Sequence, residues 1–182
     1  MKNWIRSLVV VGCLSGVALA PLAEAEAALN AYLRLKGQKQ GDIRGGLSLK
    51  GRGSIAVVAF GHEIVSPRDP ASGLPTGKRQ HKPLVITKEL DKSTPLLYNV
   101  LVNNENVSEW ELQVFGQTAA GTEGHLYTIK LTNANIASIR TYDDKDTGKL
   151  MEQISFTYQR IEWIWVAGGI MALDDWATPT VK

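Results

Sequence analysis

Ile154-Ser155-Phe156-Thr157-Tyr158-Gln159-Arg160-Ile161-Glu162-Trp163-Ile164-Trp165 is the stretch that decides the fold class. Ile154, Phe156 and Tyr158 share one parity, whereas Ile161, Trp163 and Trp165 share the other. A strand repeats every two residues, so the apolar face changes at Gln159-Arg160. A bulge there lets one long strand serve two sheets or turn a barrel corner. The expectation is a mainly β protein, a closed two-sheet β-barrel or tight sandwich with one helix on its outside. Phe156 and Trp163 are assigned to its core, the usual place for alternating strand aromatics.

The alternation extends through most of the chain. Ala31-Tyr32-Leu33-Arg34-Leu35-Lys36 reads as a first strand, and the apolar run from Ser54 to Phe60 as a strand buried on both faces. Leu84-Val85-Ile86-Thr87 follows as a short β-branched strand. Trp110, Leu112 and Val114 alternate with Glu109, Glu111 and Gln113, giving a strand with one wet face and Trp110 in the core. Tyr127, Ile129 and Leu131 mark another strand, the segment 135–142 a weaker one, and the segment 143–148 a polar turn. One helix interrupts the series. Asp91-Lys92-Ser93-Thr94-Pro95 opens it, with Ser93 as N-cap and Pro95 in the first turn. Leu96, Leu97, Val100 and Leu101 form its apolar stripe, with Leu97 assigned to the core.

Between the second and third of these strands, residues 66–82 contain Pro67, Pro70, Pro75, Gly73 and Gly77 and are expected to form no regular element. The same stretch carries Arg68, Lys78, Arg79, His81 and Lys82 opposed by Asp69. It reads as a charged, proline-stiffened arm that gains order from a neighbour, with a floppy surface loop as the alternative.

Lys2 and Arg6 precede an apolar run from Leu8 to Ala20, followed by small-residue patterns at Ala23-Glu24-Ala25 and Ala25-Glu26-Ala27. This is the layout of a secretory signal peptide over residues 1–25, cleaved after Ala25 or Ala27. The run is short for a membrane span, which takes about 20 apolar residues, so no stable membrane anchor is expected. Cys13, the one cysteine, lies inside it, which leaves the mature chain without a disulfide, a thiolate metal site or a cysteine nucleophile. The net charge is +2. Removing residues 1–25 takes away Lys2, Arg6 and Glu24 and leaves 18 basic and 17 acidic side chains. Near-neutrality gives no reason to expect nucleic acid as a partner.

Short motifs with catalytic meaning fail on context. Gly51-Arg52-Gly53-Ser54-Ile55-Ala56 has the letters of a dinucleotide fingerprint, but a strand follows where a helix is required. His62, His81 and His125 are scattered and lack metal-ligand spacing. Asp174-Asp175 could pair as acid and base, yet they sit after Gly168-Gly169 beside Trp176, where a solvated cap or subunit contact fits better. No catalytic residue, metal ligand or cofactor is expected, and the chain is not read as an enzyme.

Four segments together resemble the hemolysin-coregulated protein family, Hcp, of type VI secretion systems. They are Asn30–Gly37, the loop Ser66–Pro83, the helix opening Asp91–Tyr98, and Tyr158-Gln159-Arg160-Ile161-Glu162-Trp163. The likeness spans residues 30–179, read as one Hcp-like β-barrel domain. It implies a homo-hexameric ring, rings stacked as an inner tube, effectors carried in the lumen, and spike and sheath proteins as partners. It also implies that Pro67, Arg68, Asp69, Pro70, Pro75, Lys78, Arg79, His81 and Lys82 belong to an extended loop touching neighbouring subunits. Release through the type VI system is then the expected localisation. The signal peptide points instead to periplasmic export of a paralogue with another role, or else the start is misassigned upstream of the true one. An exported ligand- or carbohydrate-binding β-barrel is the alternative reading.

Overall fold

Along Asn30–Gly37, strand β1, Ala31, Leu33 and Leu35 are buried, while Arg34 and Lys36 take the other face. The computed structural model describes residues 30–178. The expected signal peptide, its cleavage sites and Cys13 lie outside the described residues.

β1 is the organising strand of a seven-stranded antiparallel sheet. One of its edges pairs with β2 (Gly41–Ile43) near its end and β3 (Ile55–Val57) near its start, and the other edge pairs with β8 (Val107–Gln117). From β8 the sheet continues through β9 (Glu123–Thr132) and β12 (Arg160–Trp165) to β13 (Ile170–Asp175) at its edge. A second, four-stranded sheet has the order β10 (Asn135–Asp144), β11 (Lys149–Thr157), β7 (Leu84–Glu89), β4 (Ala59–Gly61). The helix α1 covers Thr94–Val102, and β5 (Ile64–Val65) with β6 (Gln80–His81) forms a separate hairpin.

The chain crosses between the two sheets at the predicted place. β11 belongs to the small sheet and β12 to the large one, with Tyr158-Gln159 as the corner. Ile154, Phe156 and Tyr158 are buried before it, and Ile161 after it. A second corner corrects the reading of residues 54–60. That run is two strands rather than one buried on both faces, because Val58 turns the chain from β3 in one sheet to β4 in the other. Ile55 and Val57 are buried, but Val58 is 61% exposed and Phe60 40% exposed.

The expected barrel closure does not form. Among the described residues each of the two sheets keeps two free edges. The reason is visible at those edges. β4 is three residues long and runs out into the hairpin, and beyond β10 the structure places α1 rather than another strand, with the Tyr98 hydroxyl 2.8 Å from Thr141 Oγ1. The two sheets share one core instead. Leu33, Ile55, Leu112 and Trp110 meet Leu84, Ile86, Ile154 and Phe156, and the Trp110 and Phe156 rings make an edge-to-face contact at 5.5 Å. Each such aliphatic side chain contributes about 1.5–3 kcal/mol on burial.

Asp91, not Ser93, organises the helix start. Ser93 makes no side-chain cap bond to the helix. Its Oγ and backbone N–H both donate to Asp91 Oδ1, at 2.5 and 2.9 Å. Lys88 Nζ reaches the same oxygen at 2.9 Å and donates to Glu152 Oε1 at 2.7 Å. Thr94 Oγ1 donates to Glu152 Oε1 as well, at 2.8 Å, so the helix is bolted to β7 and β11 by a buried ionic knot. Lys88 is 1% exposed and Glu152 0%. Leu97 and Val100 then seat the helix on the core.

Candidate assembly surface

The arm is ordered by its own backbone, which corrects the expectation of no regular element. Beyond the β5–β6 pair, an antiparallel bridge joins Arg68 to Pro75. Asp69 Oδ1 accepts from the N–H groups of Ala71 and Ser72 at 3.1 and 2.7 Å, a side-chain-stabilised turn. Gly73, at φ +70°, closes it, and the Asp69 N–H donates to Leu74 O at 2.9 Å. Ser72 hydrogen bonds hold the Asp69 carboxyl below its ordinary range. Arg68, Pro70, Pro75, Lys78 and Lys82 are exposed on this hairpin, and Pro67, Asp69, Arg79 and His81 are half-buried.

The base of the arm is clasped to the large sheet by a chain of hydrogen bonds. Arg79 bonds both oxygens of Asp174 with Nε and Nη2, and Nη2 also reaches Asp175 O at 3.0 Å. His81 Nε2 lies 2.8 Å from Asp174 Oδ2, and its Nδ1 lies 2.9 Å from the Tyr158 hydroxyl. That same hydroxyl is 2.5 Å from His62 Nε2. The His81 side chain is only 4% exposed. Arg79 pulls the Asp174 carboxyl down, and burial pushes the Tyr158 phenol up. Burial, and then the neighbouring His81, push His62 down.

Asp174 and Asp175 therefore lie in strand β13 rather than in a tail, and Asp174 is spent on the clasp rather than free for acid–base chemistry. His62 and His81, scattered in sequence, come together at 6.5 Å between ring centroids. Trp176 caps the corner, its Nε1 donating to Tyr158 O at 2.6 Å. Among the described residues there is no group of three His, Cys, Asp or Glu able to hold a metal.

Leu97, Trp110 and Phe156 are buried, and Trp163 is half-buried against the core's rim. Trp165 lies 46% exposed. It adjoins β13, whose Ile170, Met171 and Leu173 are 68%, 57% and 51% exposed. Three large apolar side chains on a sheet's outermost strand are what an interface needs and a monomer avoids. A concavity of about 420 Å³ beside residues 42–54 is lined in part by Arg34, Arg44 and Arg52. Each of these is paired, with Glu111, Asp42 and Glu123 respectively.

A two-sheet antiparallel subunit with one buttressing helix, an ordered arm and an apolar open edge has the layout of an assembly protein. The family described as "Type VI secretion system effector, Hcp" matches residues 32–165. The chain is 38% identical over 165 residues to the "Major exported protein" of Pseudomonas aeruginosa, covering 82% of this chain and 96% of that one. Among solved structures, one described as an Hcp protein superposes with a TM-score of 0.76 at 30% identity, over 84% of this chain and all of that one. The secreted protein Hcp3 of Pseudomonas aeruginosa superposes with a TM-score of 0.70 at 33% identity, over 83% of this chain and all of that one. The chain belongs to the Hcp family of type VI secretion.

Proposed function

We propose that the mature chain is a non-enzymatic tube subunit: six copies close into a ring, rings stack, and effector proteins ride in the lumen. Spike and sheath proteins are its further partners, and release through the type VI system is its route out of the cell. The observation that carries this reading is the exposed apolar edge of β13, self-exclusive in a monomer and covered in a ring. A ring requires one patch to meet a different patch on the next copy. The free edge formed by β2 and β3 at the opposite end of the same sheet is available for that role. The arm, exposed through Pro70, Pro75, Lys78 and Lys82, is assigned to contacts between neighbouring rings.

Light scattering on residues 26–182 is expected to give one species near six times the subunit mass, unchanged by chelator or reductant. The double variant Met171→Lys/Leu173→Glu is expected to give a folded monomer. A parent that stays monomeric at micromolar concentration overturns the ring. Replacing residues 66–78 by a Gly-Ser turn is expected to keep the fold and weaken stacking. Loss of the fold in that variant overturns the assignment of the arm.

A further inference from the structure

Charge is unevenly spread along this chain. Residues 34–54 carry Arg34, Lys36, Lys39, Arg44, Lys50 and Arg52 against Asp42 alone, a net charge of +5. Of the 18 basic and 17 acidic side chains in residues 26–182, this stretch takes six and one, so the rest holds 12 and 16 and is net acidic. The fold gathers the basic surplus around the concavity of about 420 Å³ between β1, β2 and the loop that leads to β3. Arg34, Lys36, Arg44 and Arg52 line it, and Lys92 joins them from the approach to α1. The acids in the lining are Asp42 and Glu109.

The loop that walls this cleft is fixed in place. The Arg52 N–H donates to Leu49 O at 3.3 Å across a turn with Gly51 at φ +77°. The Gly53 N–H donates to Gln113 Oε1 at 3.1 Å, and the Leu47 N–H to Ser54 O at 3.1 Å. Arg52 is part of that wall: its Nη2 meets Glu123 Oε2 at 2.7 Å and its guanidinium lies 4.1 Å over the Phe115 ring.

The other four cations are free to turn to a ligand. Lys36 and Lys92 are exposed and make no ion pair among the described residues, although Glu109 stands opposite Lys36 across β1 and β8. Arg44 meets Asp42 at 3.2 Å with both side chains largely in water, where such a pair contributes little. Arg34 is 3.8 Å from Glu111, which keeps Lys130 at 3.4 Å and the Gln113 amide at 2.7 Å when Arg34 swings away.

We propose that this cleft binds a small polyvalent anion bearing phosphate or carboxylate groups, held by Arg34, Lys36, Arg44 and Lys92. Guanidinium forks pair with either group through two parallel bonds, and the lysines add point charges. Cations grouped on a concave wall focus their field into it. Four such cations against the two lining acids leave a surplus of two charges, which a dianion or trianion matches. The volume suits a small molecule, since ligand clefts run about 300–1,000 Å³. The site rests on the cleft alone and not on the ring, although β2 is also part of the edge offered to the next copy.

Isothermal titration calorimetry of the mature chain at pH 7.5, with inorganic tripolyphosphate and separately with citrate, tests it. Saturable binding near one anion per subunit is expected, weakened about tenfold or more between about 20 and about 200 mM NaCl. Saturation by tripolyphosphate alone assigns phosphate, and by citrate alone carboxylate. Lys36→Gln/Lys92→Gln removes two exposed cations that bond nothing else, and is expected to melt like the parent and bind about tenfold or more weakly. Lys78→Gln/Lys82→Gln removes the same charge from the arm and is expected to bind like the parent. A parent that saturates with neither anion overturns the site. So does a Lys36/Lys92 variant that keeps the parent's affinity, or an arm variant that loses as much, because the anion then reads only net charge.

Discussion

Lys88→Met tests what holds the helix to the small sheet. Lys88 and Glu152 face each other across β7 and β11, and both are shut off from water. Nζ makes three short bonds, to Glu152 Oε1 at 2.7 Å, Asp91 Oδ1 at 2.9 Å and Glu89 O at 2.7 Å, besides a long contact of 3.5 Å to Thr94 Oγ1. Methionine matches the length and removes all three. Attraction within a buried pair is largely offset by the cost of drying both ions, so the pair itself contributes little. Deleting one partner is different, because Glu152 keeps only the Thr94 hydroxyl, and its Oε2 has no hydrogen-bond partner among the described residues. An uncompensated buried charge costs about 3–5 kcal/mol. A domain near 150 residues loses about 2–4 °C of Tm per kcal/mol, so the variant is expected to melt about 6–20 °C below the parent. Lys88→Met/Glu152→Leu removes both charges and is expected to recover most of that loss. Thermal unfolding followed by circular dichroism decides it, at one protein concentration because assembly shifts Tm. A single variant within about 0.5 kcal/mol of the parent, or a double variant whose loss equals the two single losses combined, would refute the reasoning.

Three further outcomes are expected. Gly53→Ala places a Cβ 2.4 Å from the Leu33 carbonyl carbon, where backbone must yield, and is expected to cost about 1–3 kcal/mol or more in urea unfolding. Burial pushes the Asp91 carboxyl up, but bonds from Ser93, Lys88 and Gly46 outweigh it and hold it below its ordinary value. Its stabilisation is therefore present above about pH 3.9 and lost as pH falls below that, so the Tm gap between parent and Asp91→Asn should be level from pH 8 to 5 and shrink under pH 4. Arg79→Ala is expected to release the arm's base at pH 7.5, seen as lost exchange protection at residues 79–81 with β8 and β9 unaffected.

Most strands were legible because alternation is a local property. Trp110, Leu112 and Val114 announce β8 in the sequence, and the parity change before Ile161 announces the corner. Closure into a barrel was not legible, because it depends on what covers an edge: α1 beyond β10 cannot be read from β10 itself. The arm's prolines suggested irregularity, although Asp69-Pro70-Ala71-Ser72-Gly73 carries the signature of a side-chain-stabilised turn and could have revealed the hairpin. His62, His81, Tyr158 and Asp174 had no sequence signal. They sit on four separate stretches, and only the corner at Tyr158-Gln159 and the return of β13 bring them together. Ser93 was the plausible cap by residue type, but its hydroxyl is drawn to Asp91.

The pairing of β1 with β8 has a kinetic consequence. β1 is among the first strands synthesised, yet the partner for its second edge, Val107–Gln117, lies beyond the arm, β7 and the helix. The Phe156 that packs on Trp110 comes later still. Native pairings so distant along the chain raise contact order, and proteins of this kind fold in milliseconds to seconds rather than microseconds. Throughout that interval β1 and β3 expose an unpaired edge and an uncovered apolar face, the conditions under which nascent strands pair with the wrong chain. Productive synthesis of this subunit is therefore a race between completing residues 107–157 and intermolecular capture of residues 31–57.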